Sequence, residues 1–574
     1  MSQDSVRLFL THVAHGVLRG VGGLSLLLVA FGCASSEVGF RHGAVVSANR
    51  IASEVGRDVL QRGGNAVDAA VATAFALAVT HPVAGNIGGG GFLVAALPDG
   101  TATTFDFRET APAAATDDMF LDADGNYDPE RHHWGALAVG VPGSVAGLFL
   151  AHQTLGVLAW ADVVAPAEQL ARDGFVIGKP LANSLKFVLD SMRQYPASLD
   201  QFSRNGAPLG PNDRLVQRNL ADTLARIRDH GPSGFYEGPT AALLVAEMRR
   251  LGGRISHDDL STYRAVERAA VRSFYRGLEV IGMPPPSSGG ALIAEALNIL
   301  EGFPAHHLQR TSTDLHRLVE SMRRAFADRA LHLGDRDFVD VPVEQLVSKE
   351  YAAELRRTIG ERASVSSPES FIWRAESPET THLSVVDKNR LAVSLTTTLE
   401  QSYGSRIVVP GAGFLLNNEM GDFNPKAELT TRKGLIGTSP NLVAPKKRML
   451  SSMSPTILRR DEMPLLVIGS PGGRTIPNTV LQVIVGVVDQ GLTVQEAIDA
   501  PRLHHQWLPD RILVEKGALT APHRAELEAR GHRIEERSGR QGAAMGIAVR
   551  GTPGKTWLHA GVDPRRAGAG AAGY

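Results

Sequence analysis

Near residue 370 the chain changes texture, and that change constrains the fold more than any other feature. Residues 143–359 read as mainly helical, broken by loops such as Met283-Pro284-Pro285-Pro286-Ser287-Ser288-Gly289-Gly290. Beyond 370 strands dominate. Residues 381–386 and 391–399 are rich in β-branched side chains and flank Asp387-Lys388-Asn389-Arg390, which predicts a hairpin. Further strands are expected at 406–409, 413–416, 456–458, 464–468 and 511–514, with helices at 480–488 and 494–498. Upstream, a helix is predicted over 49–62 and a second over 66–79, capped by Asn65 with Asp68 in its first turn. The second is apolar on every side and so should be buried. Gly88 to Gly91 lead into a strand at 92–96, and 105–108 alternates like another. The Gly/Ala-rich end, 567–574, is expected to wind over the surface. No internal repeat is visible. A helical block and a strand-rich block in one chain suit a layered α/β body.

Composition excludes several functions. The 574 residues carry 59 Lys+Arg against 60 Asp+Glu, a net charge of −1, so the basic footprint of a nucleic-acid binder is missing. A single Cys rules out an intrachain disulfide framework and any thiolate-rich metal site. That Cys33 follows basic residues, Arg7 and Arg19, and a short apolar run, 23–32. The run is too short to span a membrane but suits the apolar stretch of an export signal. With Cys33 placed directly after it, residues 1–33 read as a lipoprotein-type signal. The expected product is exported, periplasmic or membrane-anchored through a lipid on Cys33.

Most short motifs fail. Gly174-Phe175-Val176-Ile177-Gly178-Lys179-Pro180 has the wrong spacing for a phosphate loop and no hydroxyl after the Lys. Gly88–Gly91 precedes a strand, which argues against a dinucleotide fingerprint. The pairs His132-His133 and His504-His505 lack a third ligand and read as packing or surface residues. No metal site is predicted.

Four ordered blocks carry more. They are Thr380-Thr381-His382-Leu383-Ser384-Val385-Val386-Asp387, Leu415-Leu416-Asn417-Asn418-Glu419-Met420-Gly421-Asp422-Phe423, Leu450-Ser451-Ser452-Met453-Ser454-Pro455-Thr456 and Gly469-Ser470-Pro471-Gly472-Gly473. With them the sequence resembles the γ-glutamyltransferases, the glutathione-hydrolysing branch of the N-terminal-nucleophile hydrolases, from about Gly43 to Tyr574. The resemblance implies a four-layered αββα sandwich made by two chains of one self-cleaved precursor, its sheets coming mainly from the hairpin segments. It implies a cut between Glu379 and Thr380, leaving a helix-rich large chain, 34–379, and a sheet-rich catalytic small chain, 380–574. Freed as an N-terminus, Thr380 would carry its own base, since an α-amino group titrates near about 7.7–8.0.

The same resemblance implies the remaining roles. Thr398 would orient the nucleophile, and Gly472 and Gly473 would offer backbone N–H groups to the oxyanion. Arg108, Ser451 and Ser452 would hold the substrate's α-carboxylate, and Glu419 and Asp422 its ammonium. The implied substrates are glutathione and other γ-glutamyl compounds, with amino-acid or dipeptide acceptors and no cofactor. Two departures stand out. Glu400 occupies a position where the family often has Asn against the ammonium, and residues 424–449, the lid segment of some members, contain no Tyr or Trp. They leave two alternatives: a related acylase acting on a glutaryl or poly-γ-glutamate amide, and an uncleaved, lipid-anchored binding protein.

Overall fold

The computed structural model describes residues 38–304, 310–366, 380–539, 541–551 and 555–574. Residues 1–33, with Cys33, and Glu379 lie outside them. Two seven-stranded antiparallel sheets form the middle of the molecule. The first runs, edge to edge, Gly570–Gly573, Ala44–Ser47, Thr380–Val386, Ala392–Thr398, Gly90–Ala96, Ala102–Phe107 and Val266–Arg268. The second runs Val38–Phe40, Trp557–Val562, Met545–Arg550, Met463–Gly469, Thr456–Arg460, Leu278–Gly282 and Val271–Tyr275. The predicted hairpin is present, in full register from Thr380 opposite Thr398 to Val386 opposite Ala392.

Helices close both outer faces. Arg50–Gln61 and Ala66–Thr80 pack on the first sheet, and Gly289–Glu301, Thr475–Val488 and Val494–Asp499 on the second. Local chemistry sets these helices. The Asn49 side chain accepts from the Ile51 amide at 2.9 Å. Asn65 and Asp68 cap each other's backbone reciprocally, satisfying amides that the first turn leaves open. Ala66–Thr80 is buried along its whole length, as its unbroken apolar pattern predicts. The four-layered αββα arrangement is therefore the observed one.

The space between the sheets is partly polar. Ser384 Oγ donates to the Met545 carbonyl at 3.1 Å and Ser394 Oγ to the Ile468 carbonyl at 3.0 Å, so hydroxyls on one sheet satisfy backbone on the other. His382 lies fully buried there, with Nδ1 2.9 Å from Thr396 Oγ1 and Nε2 3.1 Å from Ser384 Oγ. Gly469 faces the ring so closely that an added Cβ would stand 2.3 Å from its Cε1.

Four expectations need correction. Both sheets draw strands from before and after residue 379, so the sheets do not come mainly from the hairpin segments. Strands 266–268, 271–275 and 278–282 interrupt the helical middle. The C-terminal Gly570–Gly573 is an edge strand on Ala44–Ser47 rather than a surface wrap. Its Gly-Ala-Ala-Gly sequence has no apolar–polar alternation to mark it; pairing with Ala44–Ser47 and a bond from Ser53 Oγ to the Gly570 carbonyl at 2.8 Å hold it. Residues 406–409 and 413–416 form no strands. Positive φ at Arg406, Gly411 and Gly413 breaks the extended path, leaving a loop tied by one bridge, Val408 to Leu415.

Burial holds the His382 imidazole down to about 3, below its ordinary 6.5, so the folded protein keeps it neutral. The unfolded chain takes a proton below pH 6.5 that the folded one refuses. This group therefore removes about 1.4 kcal/mol of stability per pH unit as pH falls from 6.5 toward 3. His382→Gln is expected to lower stability at pH 7 yet flatten its decline between about pH 6.5 and 4.5, read from urea midpoints. An unchanged slope would show that the ring titrates normally.

Candidate active site

Thr380 begins one central strand and its register partner Thr398 ends the next, so the hairpin pairing alone brings the two hydroxyl residues together. Both are almost sealed from solvent, at 4% and 3% exposure. The chain then turns through Glu400, whose φ of 73° is left-handed, and the Glu400 amide donates to Thr398 Oγ1 at 2.8 Å. That turn places Glu400 in the wall of a small cavity open to solvent.

The lining contains Thr380, Thr398, Glu400, Glu419, Asp422, Ser451, Ser452 and Gly473, together with Met453 and Ile476. No residue of 424–449 reaches it. Glu419–Asp422 is a short 3₁₀ turn. Asn417 fixes that turn: its Oδ1 accepts from the Glu419 amide at 3.0 Å, and its Nδ2 donates to the Gly88 and Gly140 carbonyls at 2.9 and 2.8 Å. Here the glycine run finds its use. A Cβ on Gly88 would stand 2.2 Å from the Leu415 carbonyl oxygen, so the run lets two backbones meet rather than cradling a phosphate.

Arg108 follows the strand Ala102–Phe107 and is wholly buried. Its guanidinium donates to the carboxylates of Glu419 and Asp422, and its Nε to the Met449 carbonyl at 3.2 Å. Glu109 Oε2 lies 3.5 Å from the same guanidinium. Burial pushes the Glu109 carboxyl up to about 7, with Arg108 opposing the rise. Burial likewise holds Glu419 well above the ordinary carboxyl range, Arg108 again opposing and neighbouring carboxylates adding to the rise. One guanidinium thus sits among several carboxyl groups, an electrostatic balance that favours an added cation in the cavity.

Gly472 and Gly473 have φ of 139° and 55°, conformations that suit glycine, and they stand immediately before the helix Thr475–Val488. A helix N-terminus points backbone N–H groups and the positive end of its dipole outward, which favours a developing oxyanion. Gly473 lines the cavity, and Gly472 precedes it in the chain without reaching the lining.

Two participants escaped the sequence reading. His133 Nδ1 lies 3.1 Å from Glu400 Oε1, and Arg329 Nη2 donates to Ser452 Oγ at 3.0 Å. Nothing in a His-His pair, or in an Arg within a helical pattern, signals these contacts. His504 and His505 are buried and turned apart, one toward Asn478 and the other toward Asp510. His316, Glu320 and His532 form a compact group with ligating atoms close enough for an ion. Glu320 already pairs with Arg323 and Arg324, and the two rings share one hydrogen bond of 2.8 Å, so the atoms that face one another are already engaged.

The stacked antiparallel sheets, the enclosing helices and a threonine opening a central strand define an N-terminal-nucleophile hydrolase architecture. The gamma-glutamyltranspeptidase family model matches residues 52–573, and the chain belongs to that family. It is 45% identical over 539 residues to the glutathione hydrolase proenzyme of Escherichia coli, covering 93% of this chain and 92% of that one. Among solved structures it is similar to a cephalosporin acylase from Bacillus halodurans, with TM-score 0.82, 27% identity and coverage of 96% and 99%. It is also similar to the gamma-glutamyltranspeptidase of Helicobacter pylori, with TM-score 0.55, 41% identity and coverage of 59% of this chain and 96% of that one.

Removing Arg108 leaves buried carboxylates without their counter-charge. Arg108→Met is expected to cost about 3–5 kcal/mol of stability at about pH 8, and less at about pH 5 where those carboxyls take up protons. Urea unfolding at both pH values measures it. Equal losses at both would mean that the guanidinium does not govern their charge.

Proposed function

We propose that the chain cuts itself between Glu379 and Thr380, and that the freed threonine transfers γ-glutamyl groups. The observation that carries this reading is the placement of Thr380 at the head of a buried strand, facing a cavity whose polar lining matches an amino-acid head group. The relative from Escherichia coli is named a glutathione hydrolase proenzyme, which supports both the substrate class and the self-cleavage.

In the proposed reaction the α-amine of Thr380 takes the proton from its own hydroxyl as Oγ attacks the γ-carbonyl carbon. The oxyanion receives the N–H of Gly473 at the cavity wall, assisted by the N-terminus of the helix Thr475–Val488, while Gly472 shapes the turn that presents it. The C–N bond then breaks, the leaving amine departs with the proton, and a γ-glutamyl ester remains on Oγ. Water, or the amine of an amino acid or dipeptide, attacks that ester and restores the threonine. The chain's own residues account for each proton, and no step calls on a cofactor.

Substrate recognition follows from charge. Glu419 and Asp422, with Glu400 beside them, suit the α-ammonium, while Arg108, Ser451 and Ser452 suit the α-carboxylate. In the structure Arg108 already bonds Glu419 and Asp422, so the site carries both charges of a zwitterion in internally paired form. An arriving γ-glutamyl group would exchange these pairs, its ammonium meeting the acids and its carboxylate the guanidinium.

The processed form is proposed to be a heterodimer of 34–379 and 380–574. Export with a lipid on Cys33 is part of the same reading. Among the described residues no helix is long and apolar enough to cross a membrane. Likeness to a cephalosporin acylase keeps the fold compatible with another acyl group, but the cluster of acids around the cavity favours a substrate that bears an ammonium.

Thr380→Ala is expected to remain one uncut chain and to lose γ-glutamyl-anilide turnover entirely. Intact-mass analysis and N-terminal sequencing read the first outcome, and product absorbance the second. Normal turnover by that variant would end this mechanism.

A further inference from the structure

Ser451 and Ser452 sit at the cavity wall, and the direction of their hydroxyl hydrogens decides what they can bind. A serine hydroxyl accepts and donates at once, so a bond accepted from the protein interior leaves the hydrogen for the ligand. Ser452 Oγ accepts from Arg329 Nη2 at 3.0 Å. Ser451 Oγ accepts from the Met453 amide at 3.2 Å. Both hydroxyls are thereby set as donors toward the cavity, which matches an acceptor-only group such as a carboxylate.

Arg329 is itself 4% exposed and does not line the cavity. It projects from the helix Ser312–His332, and its Nε donates to Ser288 Oγ at 3.1 Å. Ser288 passes the constraint on: its Oγ and its amide donate to the Ser451 carbonyl at 2.8 and 2.7 Å. Next to it, Ser287 Oγ donates to the Met453 carbonyl at 2.7 Å. The Pro-Pro-Pro-Ser-Ser-Gly-Gly loop, 284–290, thus clasps the serine segment from behind, with Arg329 bonded to both sides of the clasp. Its sequence alone reads only as a break between helices.

We propose that Arg329 is a positioning residue for acyl-group specificity. It fixes Ser452 as a donor, locks the loop 284–290 on the serine segment and places a second guanidinium behind the carboxylate end of the site. The inference rests on the γ-glutamyl reading of the cavity, and it assigns a division of labour within it. Arg108 is bonded to two acids, so Arg329 and the serines supply the part of the carboxylate grip that those acids do not compete for.

The test separates the two charges of the head group. Glutaramate carries the carboxylate without the ammonium, and γ-aminobutyramide carries the ammonium without the carboxylate. Their binding to the purified full-length protein is measured by calorimetry, which needs no turnover, beside KM and kcat for γ-glutamyl anilide. Loss of one charge-assisted hydrogen bond predicts that Arg329→Gln weakens glutaramate by about tenfold or more and raises KM similarly, while γ-aminobutyramide stays within about twofold. Arg329→Lys, which keeps the charge and loses the fork, should fall between. Should Arg329→Gln fail to fold or process, Ser288→Ala removes only one prong and is expected to weaken glutaramate selectively by about threefold. Equal weakening of both ligands would mean a merely structural role and overturn the proposal, as would no change in either or no glutaramate binding to the unaltered protein. If the unaltered protein binds glutaramate through Arg329 yet turns over no γ-glutamyl anilide, the proposed function fails and this assignment stands.

Discussion

The wholly buried Arg108 guanidinium is the interaction on which the site depends. A cation this far from water requires acceptors on every side, and the acceptors come from distant parts of the chain: Glu109 beside it, Glu419 and Asp422 on a 3₁₀ turn, and the carbonyls of Met449 and Leu450. Satisfying the charge therefore fixes the 3₁₀ turn and the serine segment relative to the first sheet. The same acceptors outnumber the cation, and burial raises Glu109 and Glu419 toward protonation. One constraint thus both assembles the cavity and gives it an excess of acidic groups.

The second constraint is strand register. A shift of one residue in the hairpin would move Thr380 away from Thr398 and turn its side chain to the opposite face. Register is held by more than the turn. His382 bonds its register partner Thr396 across the hairpin, Ser384 and Ser394 bond backbone carbonyls of the second sheet, and the His382 ring fills the space that Gly469 leaves open. Gly469 belongs to the strand that leads directly into Gly472 and Gly473. The contact between His382 and Gly469 therefore links the nucleophile strand to the oxyanion segment. The intervening distance is set by packing rather than by a flexible loop.

Legibility in the sequence followed physical origin. The hairpin, the Asn65-capped helix and the strand at 463–469 were readable because periodicity and capping are local. Gly570–Gly573 and the strands at 266–282 were not, since a small-residue edge strand or a short strand within helical surroundings owes its existence to partners remote in sequence. The site divided in the same way. Most residues singled out inside the ordered blocks fall around one cavity, whereas His133 and Arg329 stand behind its wall and touch Glu400 and Ser452 only through tertiary packing. The glycine run 88–91 lay between these cases: its spacing excluded a nucleotide loop, but only the approach of the Leu415 carbonyl explains it.

The mixed sheets bear on what a cut before Thr380 can do. In the first sheet Thr380–Val386 is flanked by Ala44–Ser47 from upstream of the cut and Ala392–Thr398 from downstream, and Ala392–Thr398 pairs in turn with upstream Gly90–Ala96. The second sheet likewise joins Leu278–Gly282 to Thr456–Arg460 and Val38–Phe40 to Trp557–Val562. Separating the two pieces would strip backbone hydrogen bonds from the central strands Thr380–Val386, Ala392–Thr398 and Gly90–Ala96, which are buried along their whole length, at the cost of leaving those groups unpaired. A break at 379–380 would free an amine on Thr380 while these ladders remain as they are. Activation by cleavage is therefore compatible with the ladders that hold the described site, because they begin at Thr380 and none of their hydrogen bonds is the bond that must break.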